Sequence, residues 1–126
     1  MTDENAKPVL VAEFITDDKG EPEFHPGSSY MHYKIRLKVK GAPKDAYAVT
    51  YGLHETYYEP VRESRDRSED FPEDITSYGD YAVRATIRSK QGVQTIATDL
   101  SQALALGITK GDSGKIGSAI QYIKGH

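Results

Sequence analysis

The clearest regularity in the chain is the stretch Tyr33-Lys-Ile-Arg-Leu-Lys-Val-Lys40, which alternates apolar and basic residues without interruption. A period of two places successive side chains on opposite faces of an extended chain, so the stretch predicts a strand with one buried face. Tyr33, Ile35, Leu37 and Val39 are assigned to the core, and Lys34, Arg36, Lys38 and Lys40 to water. The same pattern predicts strands at Ala46–Leu53, with Tyr47, Val49, Tyr51 and Leu53 inward, and at Asp80–Arg88, with Tyr81, Val83, Ala85 and Ile87 inward. Ser89-Lys-Gln-Gly92 followed by Val93–Ala97 reads as the second arm of a hairpin. Val9–Ile15, ending at Asp17-Asp-Lys-Gly20, is a further strand and turn.

Short strands divided by Gly, Pro and Asp turns, with no helices between them, indicate an all-β chain. The expected architecture is an immunoglobulin-like antiparallel β-sandwich. The C-terminal end changes character. Asp99 as N-cap, Gln102 three residues on and Gly107 after Leu104 and Leu106 predict a short helix over 100–106. Ile116, Ile120 and Ile123 keep helical spacing, which Gly114 and Gly117 weaken. The organisation expected is a flexible N-terminus over 1–8, a sandwich over 9–106, and a tail over 107–126. That tail is either a short helix docked on the sandwich or partly mobile.

Composition narrows the function classes. A chain of 126 residues is one domain's length. Its net charge of −3 gives no general attraction to nucleic acid or anionic membrane, so nucleic acid is an unlikely partner. No apolar run is long enough to span a bilayer. The opening, Met1-Thr-Asp-Glu-Asn-Ala-Lys7, is too polar for a signal peptide, and the expected setting is the cytoplasm. The absence of cysteine excludes disulfides, thiolate metal sites and a cysteine nucleophile. His25, His32 and His54 lack metal-ligand spacing, and no Gly-x-Ser-x-Gly elbow is present. No cofactor, metal or catalytic group is therefore expected, and the chain reads as a non-enzyme.

The informative cluster is aromatic. Six of the nine tyrosines lie between Tyr47 and Tyr81. Tyr57 and Tyr58 follow one predicted strand, while Tyr78 and Tyr81 open another, so two aromatic loops can converge at one end of the sandwich. The segments Leu53-His-Glu-Thr-Tyr-Tyr-Glu-Pro-Val-Arg62 and Ile75-Thr-Ser-Tyr-Gly-Asp-Tyr-Ala-Val-Arg84 resemble the YEATS domain. The resemblance spans roughly residues 30–105 and is closer to the prokaryotic YEATS-like domains, which occur alone or joined to signalling and effector modules.

The resemblance implies a slot for an acylated lysine. Tyr57 and Tyr78 would be its walls, Thr56 the hydroxyl that bonds the acyl amide together with the backbone N–H at Tyr78, and His54 the group orienting that hydroxyl. Tyr81 would be the floor, Ser77 and Gly79 would shape the second loop, and Tyr30 or His32 would stand at the rim. Ser77 replaces a usual glycine, Asp80 is unusual in its place, and Tyr57 and Tyr81 replace phenylalanines. From the residues alone, Thr56 reads equally as a turn-stabilising hydroxyl, and His54 equally as a histidine at the core edge.

The implied function is recognition of a modified peptide or small ligand within a prokaryotic signalling or effector system. The alternative is a structural or protein-interaction sandwich that meets a protein partner through a sheet face or edge. In that version the row Lys34/Arg36/Lys38 is the contact. Otherwise the row is a solvated face, and the mixed-charge segment 62–70 a mobile surface loop.

Overall fold

A computed structural model of the chain describes residues 7–26, 30–57, 59–108 and 114–126. The alternating stretch is the central strand of one sheet: β3 (Met31–Lys40) buries Tyr33, Ile35, Leu37 and Val39. On one side it pairs antiparallel with β1 (Val9–Phe14) and, nearer its start, with the short β2 (Phe24–Pro26). On the other side lies β6 (Glu73–Ser77). The second sheet has the order β5-β4-β7-β8, formed by Val61–Ser64, Ala46–Gly52, Ala82–Ser89 and Gly92–Asp99, all antiparallel. The two sheets enclose one core, whose largest fully buried side chains include Tyr51, Phe71, Ile35, Leu37 and Ile87. The molecule is the expected immunoglobulin-like antiparallel sandwich with C-terminal helices.

The lysines and arginine of β3 are not a free basic row. Lys34 pairs with Glu23 at 3.5 Å, Arg36 with Asp74 at 2.7 Å and Lys38 with Glu13 at 3.0 Å. Arg36 completes a fork with a second bond of 3.1 Å to Asp74. Three of the four cations in the row therefore face a carboxylate, which offsets part of its charge.

Three expectations are corrected. Tyr47 is exposed, not inward, because the pairing of β4 with β7 slips by one residue between Ala46 and Ala48. A bulge of that kind turns one side chain to the other face.

Segment 62–70 is not a mobile loop. It contains β5 and a 3₁₀ turn, Arg67–Glu69, and it leads into Phe71, which is buried. Asp70 and Phe71 both take positive φ, of 61° and 56°, which costs about 1–3 kcal/mol each. The cost is offset by fixed bonds. The Tyr51 hydroxyl donates to the Phe71 carbonyl at 2.5 Å, Val39 N–H donates to the Asp70 carbonyl at 3.0 Å, and Arg67 donates to the Pro43 and Ala46 carbonyls at 2.8 and 3.1 Å.

The helix α1 (Leu100–Leu106) is present, but Asp99 makes no side-chain cap bond. Asp80 supplies the cap instead. Gly107 ends the helix where a Cβ would stand 1.9 Å from the Ala12 carbonyl oxygen, so only glycine fits there.

The tail is a docked helix, α2 (Gly114–Lys124), which buries Ile116, Ala119, Ile120 and Ile123 in the main core. Tyr122 fixes it further: its hydroxyl accepts the Met31 N–H at 2.9 Å, at the start of β3. The expected flexibility of 1–8 falls mainly on residues 1–6, and part of the tail on 109–113; both lie outside the described residues. No described helix is long and apolar enough to cross a membrane.

Candidate functional site

Two connections meet at one end of the sandwich. The first joins β4 to β5 and carries His54, Thr56 and Tyr57; the second joins β6 to β7 and carries Tyr78, Gly79, Asp80 and Tyr81. All seven residues singled out in the sequence (His54, Thr56, Tyr57, Ser77, Tyr78, Gly79 and Tyr81) line a single cleft of about 380 Å³. That volume is within the usual range of small-ligand sites. Tyr58 lies outside the described residues.

The first loop is held by local bonds. Leu53 N–H donates to the Pro60 carbonyl at 2.7 Å and closes the loop, and Tyr57 N–H donates to the His54 carbonyl at 3.1 Å. His54 Nδ1 lies 2.8 Å from Thr56 Oγ1 and accepts the Thr56 backbone N–H at 3.2 Å. A nitrogen that accepts a backbone N–H carries a lone pair, which assigns the ring proton to Nε2 and makes the Thr56 hydroxyl a second donor to Nδ1. In that assignment the hydroxyl oxygen keeps its lone pairs for another donor.

The second loop depends on Ser77. Its buried hydroxyl donates to the Gly79 carbonyl at 2.8 Å and accepts the Gly79 N–H at 3.3 Å, a compact side-chain turn around Tyr78. Serine in the place of a usual glycine thus holds the loop instead of loosening it. At Gly79 the two backbones approach closely: a Cβ there would lie 3.0 Å from the backbone carbon of His126.

The ring contacts fall into two sets. Tyr57 packs on Tyr81 with centroids 5.6 Å apart, and Tyr81 meets His54 edge-on at 5.9 Å. Tyr57 reaches across to the second loop's strand, donating to the Thr76 carbonyl at 2.6 Å, and the Arg62 guanidinium lies 5.9 Å over its ring. The Tyr81 hydroxyl is buried beside Tyr57 without completing a hydrogen bond. Burial first, and the neighbouring Tyr57 phenol second, raise its pKa far above that of a free tyrosine.

The other set is built on Tyr78. It stacks on Tyr30 at 4.6 Å, nearly parallel, and meets His32 edge-on at 5.2 Å. Both rim candidates therefore flank Tyr78, although it is His32 that lines the cleft. Tyr30 in turn meets His126 at 5.6 Å, and His126 stacks on Tyr122 at 4.1 Å.

Asp80 lines the cleft but faces away in its bonding, since both carboxylate oxygens are taken by Ser101. Thr76 and His126 were not foreseen as lining residues. Thr76 contributes its carbonyl, which no side-chain pattern reveals. His126 is 45 residues beyond Tyr81 in the sequence and reaches the cleft only because α2 docks. Among the described residues no cluster of His, Asp or Glu has the form of a metal site.

Known proteins place this geometry in context. The family model of the prokaryotic YEATS domain matches residues 33–100. The yeast AF-9 homolog Yaf9 has a similar fold, with a TM-score of 0.51 and 19% identity over 74% of this chain and 65% of that one, so the chain spans under two thirds of its length. The Yaf9 YEATS domain bound to H3K27ac is similar too, with a TM-score of 0.50 and 18% identity over 75% of this chain and 73% of that one. No curated protein matches the sequence. The family match covers more than half of the chain, including both cleft loops, and by that match the chain belongs to the prokaryotic YEATS domain family.

Proposed function

We propose that the protein is a non-enzymatic recognition module that takes a short acyl group, carried on a lysine of a modified peptide, into the cleft between Tyr57 and Tyr78. Its setting would be a prokaryotic signalling or effector system. The observation that carries this reading is the pairing of His54 with Thr56 at the mouth of an aromatic cleft. With its proton committed to His54, the Thr56 hydroxyl offers lone pairs to an amide N–H. The Tyr78 backbone N–H is the corresponding donor for the acyl carbonyl, and the tyrosine faces sandwich the planar amide.

The energies are modest. Each aromatic face contributes about 0.5–1.5 kcal/mol beyond burial. Each hydrogen bond contributes about 0.5–1.5 kcal/mol. The total corresponds to roughly millimolar affinity for an isolated acyl-lysine side chain. Family membership and the ligand named for the Yaf9 domain support the ligand class.

The reading is tested by titrating peptides carrying acetyl-, propionyl- or butyryl-lysine, and the unmodified lysine, into the wild type and the variants Thr56→Ala and Tyr57→Ala. Acylated peptides should bind and the unmodified one should not. Each substitution should weaken binding by about three- to tenfold, the equivalent of one lost contact. Equal binding of acylated and unmodified peptides would discard the assignment.

A further inference from the structure

We infer that the free edge of β8 is a self-association surface, on which two copies of the chain pair antiparallel across a two-fold axis at Thr95. The inference is independent of what the cleft binds. A strand edge with unpaired N–H and C=O groups is a template for another strand, and natural sheets protect such edges with charge, proline, a bulge, shortness or a cover. The other edges of this sandwich are protected. The helix α1 packs on β1, and β2 has three residues. β5 is closed onto β6 by Arg62, which donates to the Asp74 carbonyl at 3.1 Å.

The edge of β8 is different. The strand is 8 residues long and pairs with β7 in unbroken register, from Ala82↔Asp99 to Ser89↔Gly92. It has no second strand partner among the described residues. Its sequence, Gly-Val-Gln-Thr-Ile-Ala-Thr-Asp, holds no lysine, arginine or proline, and its one charge is at the last position. Val93, Thr95 and Ala97 are exposed, Val93 by 62%. Bonded and non-bonded pairs alternate along an antiparallel ladder. Just past the strand, Leu100 N–H donates to the Tyr81 carbonyl at 2.9 Å, which puts the bonds to β7 at even-numbered residues. The backbone groups of Val93, Thr95 and Ala97 therefore point away from the sheet, and they meet no other described backbone group.

A second copy fits this edge because the strand is complementary to itself. An antiparallel pair centred on Thr95 sets every outward-pointing residue opposite another. Thr95 meets Thr95 of the second copy, Val93 meets Ala97 and Ala97 meets Val93, each pair exchanging two backbone bonds. The hydroxyls of Thr86 and Thr95, 3.3 Å apart within one copy, then extend into a row of threonines across the junction. Charge agrees with the same register. Asp99 is exposed and makes no cap bond. In the pair it lies opposite Gln91 of the second copy, beside Lys90 in the β7–β8 turn, and symmetry makes this contact twice. β8 runs toward the cleft, since Asp99 pairs with Ala82 beside Tyr81. The paired molecule therefore leaves both clefts open, at opposite ends of one continuous sheet.

The test is sedimentation equilibrium of the full chain from about 10 µM to 1 mM, the range of small interfaces. The mass should rise toward that of a dimer and no further. Thr95→Lys brings two like charges together at the axis and should raise the dissociation constant about tenfold or more. Asp99→Lys should raise it about threefold, and Asp99→Lys combined with Lys90→Asp should return it to within about twofold of the wild type. The chain has no cysteine, so oxidation of Thr95→Cys reads geometry alone. Bonded strand pairs stand about 5.5 Å apart at Cα, within disulfide reach. That variant should form a covalent dimer, whereas Val61→Cys, 68% exposed on the opposite edge strand, should not. A wild type that stays monomeric to about 1 mM overturns the inference. So does association that a folded Thr95→Lys leaves unchanged, equal cross-linking of the two cysteine variants, or a charge swap that restores nothing. If Thr95→Lys does not fold, the charge swap and the cysteine pair decide.

Discussion

The Asp80 carboxylate grips Ser101 twice, accepting its backbone N–H at 2.9 Å and its hydroxyl at 2.6 Å. It thereby caps α1 from a distance in sequence, satisfying an N–H that the first turn of a helix leaves without a partner. The same residue sits between Gly79 and Tyr81 in the cleft loop, so the cap also fixes the loop that presents Tyr78.

Replacing Asp80 with alanine should cost about 1–2 kcal/mol of stability, while Asp99→Ala should cost under about 0.5 kcal/mol, because Asp99 makes no cap bond. Urea unfolding of the two variants checks this directly. A larger loss in Asp99→Ala would reverse the assignment of the cap.

This helix end shows where the sequence was legible and where it was not. The presence and limits of α1 were readable, since Gly107 and the apolar spacing are local signals. The identity of the cap was not, because Asp80 reaches Ser101 only through the fold. Likewise β3 was evident from strict alternation, whereas β6 was missed. Its sequence Glu-Asp-Ile-Thr-Ser offers one apolar residue, Ile75, and pairs by backbone bonds to β3. Tyr47 misled because one slipped residue in β4 is invisible in a period-two pattern. The two cleft loops were recognisable from their residues, but the wall contributed by His126 depends on how a weak helix docks.

Gly107→Ala should destabilise the protein by more than about 2 kcal/mol, since the new methyl would be driven into the Ala12 carbonyl. Gly114→Ala, with open space around its Cβ position and a helical setting, should be neutral or stabilising by up to about 1 kcal/mol. Thermal melts of the pair separate the two cases. Similar melting temperatures for both variants would contradict the close approach of α1 to β1.

Alkaline pH should unfold the protein through its buried phenols. Burial raises the pKa of Tyr33, Tyr51 and Tyr81 above the ordinary value of 10, with Tyr122, Glu73 and Tyr57 respectively adding to the shift. The unfolded chain then loses these protons first, so the stability they confer is complete below about pH 10 and declines as pH rises further. Urea midpoints should be level on the neutral side of that limit and fall beyond it. Tyrosinate absorbance should show these three phenols ionising late, together with unfolding. Ionisation of all tyrosines in one step near pH 10 without unfolding would count against their burial.

The ion pairs on β3 give a further expectation. Reversing Lys34, Arg36 and Lys38 to glutamate sets like charges against Glu23, Asp74 and Glu13. The cost should be about 0.5–1 kcal/mol per position or less, as for exposed pairs elsewhere. Acyl-peptide affinity should be unchanged within twofold, because the cleft lies at the end of the sandwich and not on this face. Loss of ligand binding in a folded triple variant would move the site to the sheet.

The central claim concerns where the acyl group goes, and the most direct measurement is a backbone-amide NMR map recorded with butyryl-lysine peptide and with its unmodified counterpart. The account predicts shifts confined to residues 54–57, 76–81, 32 and 126 with the acylated peptide, and none there with the unmodified one. Shifts centred on the β5-β4-β7-β8 sheet, or the same shifts from both peptides, would contradict it.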